Sequence, residues 1–223
     1  YDLDTARIKY KEAYQDLWQL TVAVRSRYPS LPLYIIGESL GAGMALRLAS
    51  DMPDSVDGIV LSSPAIKGRL FISARVVLDT MVVMCYPKRE VDLKPYIRQL
   101  ASESPEVSDS AVTDPLVRKR LTVWDLFRTA RLIRGNIKHA RTVPATMPVL
   151  IIQGDRDRMI NSNGVAVLIE NLKCTDQTVK WLPGKGHLLL ETPLIEDETR
   201  NTVTEWILEH SSRVRPVKVS LSN

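Results

Sequence analysis

The chain reads as an α/β protein with a mostly parallel sheet covered by helices on both faces, and three observations carry that reading. Short continuous apolar runs recur along it, of the kind found in strands buried between two layers. Stretches with apolar residues at three- and four-residue spacing alternate with those runs, which argues for strand–helix–strand units. The composition is that of a globular domain, 44% hydrophobic and 25% charged over 223 residues. That balance excludes disorder, collagen and coiled coil, and the length suits one sizeable domain better than two.

The first element is a helix. Asp4 offers an N-cap, and Tyr10, Ala13, Tyr14, Leu17, Leu20, Thr21 and Val24 recur at the spacing that buries one face. Tyr28-Pro29-Ser30-Leu31-Pro32 stops it. Leu33-Tyr34-Ile35-Ile36 is the first strand, expected to be buried on both faces. A helix carried by Met44, Ala45, Leu48 and Ala49 starts beside Ser39. Gly58 to Ser62 and Val149 to Gln153 read as further strands, and Thr178 to Leu182 as a weaker one. Helices follow the last two, near Val165 to Leu172 and Thr199 to His210.

One segment breaks the rhythm. About 80 residues separate Ser63-Pro64 from Pro148, where a crossover needs only about 12 or more. The excess reads as an inserted helical cap. Within it, Leu70, Phe71, Ala74, Val77, Leu78, Met81, Val82 and Cys85 form a wide apolar helical face. Pro95 to Pro115 is polar and turn-rich. A further helix runs from Trp124 to Ala140, with a basic stripe of Arg131, Arg134, Lys138 and Arg141. The stripe reads first as a solvated helix face, with contact to an anionic membrane surface through the cap as the sharper alternative. Residues 1–66 are thus the first part of the core, 67–122 the cap, 123–210 the second part of the core, and 211–223 a tail.

Charge and cysteines narrow the function classes. A net charge of +4 with acids and bases interspersed favours a solvated surface over nucleic-acid binding. No apolar stretch reaches the roughly 18 residues of a membrane span, and Asp79 and Thr80 break the longest candidate, Val76 to Cys85. Cys85 and Cys174 make no metal-ligand or redox spacing, and no cofactor or metal is expected. No targeting segment is visible, which leaves the compartment open, with a soluble cytoplasmic or membrane-peripheral protein favoured.

Chemistry concentrates at three turns. Gly37-Glu38-Ser39-Leu40-Gly41 is G-x-S-x-G between an apolar strand and a helix, the setting of a nucleophile elbow. The sharp turn pushes the Ser39 hydroxyl out at the carboxyl edge of the sheet and asks for small neighbours at Gly37 and Gly41. Gly43 is expected to let the helix lie close to the sheet. The Leu40 N–H, at a helix N-terminus, suits an oxyanion. A phosphate loop is the rival, but the Walker Lys-Ser/Thr pair is missing. Of three histidines, His187 follows Pro183-Gly184-Lys185-Gly186 out of the last strand at the same edge, which suits a general base. Asp155 and Asp157 compete for the acid that orients it. Asp155 is better placed to hold the turn, and Asp157 to reach the next loop.

The elbow with its preceding Tyr28-Pro29-Ser30-Leu31-Pro32-Leu33-Tyr34-Ile35-Ile36 resembles the monoacylglycerol lipase and lysophospholipase-like branch of the α/β-hydrolases, the serine aminopeptidase S33 type. Leu61-Ser62-Ser63-Pro64-Ala65, Thr113-Asp114-Pro115-Leu116-Val117, Pro148 to Gly154 with Asp157, and Gly186-His187 resemble it in the same order. The likeness implies an α/β-hydrolase fold and a Ser39, Asp157, His187 triad, with the acid three residues after Gly154. It also implies an acyl-binding lid, for which Leu70, Phe71, Leu78 and Met81 are the expected substrate-binding residues. Two departures stand out. Glu38-Ser39-Leu40-Gly41-Ala42 replaces the family's frequent His-Ser-Met-Gly-Gly. The family's His-Gly-rich oxyanion loop and early strands have no counterpart, so the N-terminal part of the sheet is expected to be absent. Loss of one oxyanion donor costs about 2.7–4 kcal/mol of barrier, so this chain alone is expected to be impaired.

The resulting expectation is a serine hydrolase cleaving lipid-type carboxylic esters through an acyl-enzyme, with a small-molecule acyl lipid as substrate. A serine aminopeptidase is the alternative, with Glu90, Glu103 or Glu106 available to bind an α-amino group. A non-catalytic binding module of the same shape is the third reading.

Overall fold

In chain order the elements are α1 (Tyr10–Arg27), β1 (Tyr34–Glu38), α2 (Leu40–Asp51), a single 3₁₀ turn (Pro53–Ser55) and β2 (Gly58–Ser62). These are followed by β3 (Glu90–Asp92), α3 (Lys94–Leu100), α4 (Pro105–Thr113), β4 (Arg120–Thr122) and α5 (Val123–Ala140). The last four are β5 (Val149–Gly154), α6 (Ser162–Asn171), β6 (Gln177–Leu182) and α7 (Asp197–Ser211). The structure, a computed structural model, describes residues 8–66, 88–160, 162–190 and 195–212. Asp4 and the apolar 70–85 face, with Leu70, Phe71, Leu78 and Met81, lie outside the described residues.

Strands β1, β2, β5 and β6 form one parallel sheet in that spatial order. Ile36 sits opposite Val60, Val60 opposite Leu150, and Leu150 opposite Thr178. The two central strands are buried at every position, as their uninterrupted apolar runs require. Alternate side chains serve two cores. Ile59, Leu61, Val149 and Ile151 pack with Leu46 and Leu48 of α2, Ala140 of α5, and Val165 and Leu168 of α6. Val60, Leu150 and Ile152 pack on the other face with Leu182, Leu189, and Val203 and Trp206 of α7. Helices therefore cover both faces. Each fully buried aliphatic side chain here contributes about 1.5–3 kcal/mol.

The first strand departs from the expected double burial. Among the described residues β1 has a neighbour on one side only, and Ile36 is 48% exposed. Helix α1 packs on the 3₁₀ turn, and its Tyr14 hydroxyl donates to Asp51 at the end of α2. Tyr14 and Thr21 are buried, whereas Leu20 is 61% exposed, so the apolar face read from spacing is only partly used.

The turn-rich stretch from Pro95 to Pro115 holds two short helices. Pro95 is the second residue of α3 and Pro105 the first of α4, both in the first turn, where the missing N–H costs nothing. Prolines that read as breaks are thus helix starts. A two-stranded antiparallel ribbon of β3 and β4 frames them. Helix α5 begins at a reciprocal cap: the Asp125 N–H donates to Thr122 Oγ1, whose hydroxyl donates to the Asp125 carboxylate. Among the described residues, no helix is long and apolar enough to cross a membrane.

Candidate active site

The elbow forms where β1 meets α2. Ser39 has φ 54° and ψ −114°, a left-handed conformation that costs a non-glycine residue about 1–3 kcal/mol. Surrounding bonds hold it there. The Ser39 N–H donates to the Ser62 carbonyl at 2.9 Å, and the Ser39 carbonyl accepts from the Ala65 N–H at 3.1 Å. Gly37 is required by close approach, because a Cβ there would lie 2.4 Å from the Gly41 carbonyl oxygen. The expectation for Gly41 is different: a Cβ on it would meet no described atom within 4 Å, so it is Gly41's backbone rather than its missing side chain that crowds the turn. Gly43 faces helix α5 rather than the sheet. Its Cβ would sit 2.3 Å from Asn136 Nδ2, which donates to the Ala65 carbonyl at 2.8 Å.

His187 reaches the serine from the loop after β6. Its Nε2 lies 2.8 Å from Ser39 Oγ, and its Nδ1 lies 2.8 Å from Asp157 Oδ2. The imidazole is almost fully buried, 2% exposed. A carboxylate only accepts, so Nδ1 carries the proton and the Nε2 lone pair faces the serine hydroxyl.

Asp157 is held at every lone pair that matters. Oδ2 also accepts from Gln153 Nε2 at 2.8 Å, while Oδ1 accepts from the N–H groups of Met159 and Ile160 at 2.8 and 2.9 Å. Burial pushes its carboxyl up, but the hydrogen bond and charge of His187, with the donors from Ile160 and Gln153, outweigh that and hold it below the usual range. Asp155 does other work. Its Oδ1 accepts from the Gly184 N–H at 2.7 Å and ties the acid turn to the histidine turn. Gly154 allows the two loops to cross, since a Cβ there would lie 2.2 Å from the Gly186 carbonyl oxygen.

Three loops at the carboxyl edge of one parallel sheet thus carry a continuous Ser–His–Asp hydrogen-bonded line, and Leu40 opens helix α2 beside it. The family model of serine aminopeptidase, S33, matches residues 7–193, most of the chain. The chain belongs to the serine aminopeptidase S33 family. It is 26% identical over 201 residues to the monoglyceride lipase of Homo sapiens, an alignment covering 89% of this chain and 65% of that protein. The chain therefore spans about two thirds of that relative's length. The structure is similar to the monoacylglycerol lipase of Paleococcus ferrophilus, with TM-score 0.70 and 25% identity, covering 92% of this chain and 77% of that one. A soluble variant of the Saccharomyces cerevisiae monoglyceride lipase, solved with a substrate analog, shares the fold with TM-score 0.73 at 16% identity, covering 92% and 71%.

In this S33 chain several residues around the site were not singled out in the sequence. Gln153, 1% exposed, donates to the acid, and a lone amide ending an apolar strand was its signal. Glu38, inside the motif, accepts from the loop that follows His187. Glu103, offered as an α-amino ligand, instead accepts the Gly186 N–H and lies 3.8 Å from Lys185 Nζ, while Glu90 lies 3.6 Å from Arg120. Away from the site, His210 is buried and stacked on Trp206 at 4.1 Å. Among the described residues no group of three His, Cys, Asp or Glu side chains is arranged to hold a metal ion.

Proposed function

We propose that this protein hydrolyses lipid-type carboxylic esters, of monoacylglycerol or lysophospholipid kind, through a covalent acyl-enzyme. The supporting observation is the 2.8 Å pair of contacts that joins Ser39, His187 and Asp157 on a strained elbow. In this reading Ser39 Oγ attacks the ester carbonyl carbon while His187 Nε2 takes the hydroxyl proton. Collapse of the tetrahedral intermediate expels the alcohol, which receives that proton from His187. Water then repeats the sequence on the acyl-enzyme and releases the fatty acid. Asp157 holds the Nδ1–H tautomer and stabilises the imidazolium, and the Leu40 N–H donates to the oxyanion.

The segment 67–122 is proposed as the cap, with Leu70, Phe71, Leu78 and Met81 lining the acyl site. The monoglyceride and monoacylglycerol lipases among its relatives support the ester over the peptide. Engagement of Glu103 and Glu90 by other partners also weighs against α-amino recognition. On α5, Trp124 and Phe127 stack at 5.5 Å while more than half exposed, beside the exposed Arg131 and Arg134. This supports contact with an anionic lipid surface, read out by co-sedimentation with anionic but not neutral vesicles.

A fluorophosphonate probe and a substrate panel test the function. Labelling of the wild type but not of Ser39→Ala, with turnover of monoacylglycerol or aryl esters exceeding that of amino-acid anilides, is expected. Equal labelling of the two proteins, or none of the wild type, would overturn the hydrolase reading. Preferential anilide cleavage would replace the ester with the peptidase.

A further inference from the structure

The loop carrying His187 is held by its backbone. Five consecutive N–H groups, from Gly186 to Leu190, each find an acceptor outside the loop. Gly186 donates to the Glu103 carboxylate, and His187 and Leu188 both donate to the Ala101 carbonyl, at 3.1 and 2.8 Å. These acceptors come from the α3–α4 connection. Leu189 and Leu190 turn the other way and donate to Glu38 Oε1 at 2.8 and 3.0 Å. The same oxygen accepts the Ser62 hydroxyl at 2.7 Å.

Glu38 immediately precedes Ser39, so one side chain spans from the nucleophile's own turn to the second and third residues after the base. Three donors on one oxygen suit a side-chain carbonyl or carboxylate oxygen, and the carboxylate best. Its lone-pair capacity and charge suit bonds of this length, whereas a histidine, frequent at this position in the family, offers one acceptor nitrogen at most. The Ser62 contact fixes the carboxylate against β2, a fully buried strand. The distance between Ser39 Oγ and His187 Nε2 is therefore referred to a rigid part of the sheet, and not only to the α3–α4 connection.

We propose that Glu38 is a positioning residue for His187, binding the backbone of Leu189 and Leu190 to the elbow so that the imidazole stays in register with Ser39. The proposal rests on the hydrolase reading above for its kinetic consequence, while its structural consequence stands without it. A displaced imidazole slows proton transfer and leaves ester binding alone, so the effect falls on kcat.

The test compares Glu38→Ala, Glu38→Asp and Glu38→Gln in the full chain. Steady-state turnover of an aryl ester, fluorophosphonate labelling rate, thermal melting and the low-field proton resonance of His187 Nδ1–H are measured. Glu38→Ala and Glu38→Asp, which delete or withdraw the acceptor, are expected to lower kcat and labelling rate about 10- to 100-fold, with KM within about threefold. Glu38→Gln keeps an acceptor oxygen at full reach and is expected to recover to within about fivefold of wild type. The low-field resonance is expected to broaden or vanish in the first two variants and persist in Glu38→Gln. If Glu38→Ala loses its cooperative melt, the Asp and Gln pair decides.

Wild-type kcat, or an undisturbed low-field proton, in a folded Glu38→Asp would overturn the proposal and leave the hydrolase reading intact. A wild type that neither turns over ester nor labels would end the hydrolase reading. Loss of the low-field proton in Glu38→Asp would then still uphold the positioning role.

Discussion

Two aspartates sit two residues apart after β5 and face different tasks, and the contrast can be measured. Asp157 accepts the His187 Nδ1 proton, whereas Asp155 accepts a backbone N–H from the next turn. Asp157→Asn would present an amide that favours the wrong tautomer, and kcat on an aryl ester is expected to fall about 10³–10⁴-fold with KM little changed. Asp155→Asn should leave kcat within about threefold and cost about 0.5–1.5 kcal/mol of stability in denaturant titration. Comparable kcat losses in both variants would put the assignment of the acid in doubt. The G-x-S-x-G spacing and the two turns after glycine already pointed to Ser39 and His187 and left Asp155 and Asp157 competing, a choice that the family resemblance turned to Asp157. The backbone donors that hold Asp157, from Met159 and Ile160, were not legible, because backbone N–H groups leave no trace in residue type.

Elements met the sequence unevenly. The central strands were clear, since a run buried on both faces must be apolar throughout, and β2 and β5 are. Helices α3 and α4 were hidden by prolines that start them. The packing of α2 was misjudged at its glycines: Gly43 meets Asn136 of α5, and Gly41 meets nothing described. Gly43→Ala is accordingly expected to displace a buried, hydrogen-bonded amide and cost about 1–3 kcal/mol. Gly41→Ala is expected to be neutral or to stabilise by up to about 1 kcal/mol, as alanine does within a helix. Thermal melts of the two variants compare them directly, and equal melting temperatures would contradict the α2–α5 contact.

For the molecule as a whole, the buried Asp157–His187 pair links the site to global stability. The folded-state carboxyl of Asp157 lies below its ordinary value, so its contribution is complete above the unfolded-state value near pH 4. That contribution disappears as pH falls through the folded-state value. Melting temperature is therefore expected to drop below about pH 4 more steeply in wild type than in Asp157→Asn, which has no carboxyl to protonate. Calorimetric scans from about pH 3 to pH 7 provide the check, and identical acid slopes would contradict it. On the far side of the sheet, His210 contacts the Trp206 carbonyl and the Asp176 carboxylate, tying α7 to the turn before β6.

What the residues dictate without any tertiary information is the set of local choices: apolar runs that must be strands, glycines that must end them, and a serine on a strand-to-helix turn. Those choices follow from backbone sterics and from the exclusion of apolar groups from water, both read within a few residues. The convergence of three turns, with Ser39 148 positions and Asp157 30 positions before His187, belongs to the sheet. Strand order and register bring the ends of β1, β5 and β6 to one edge. The same holds for Glu38, whose partners at Leu189 and Leu190 lie 151 and 152 positions away. A hydrogen-bond acceptor cannot select its donors in sequence. It finds them only where the packed sheet sets two turns side by side.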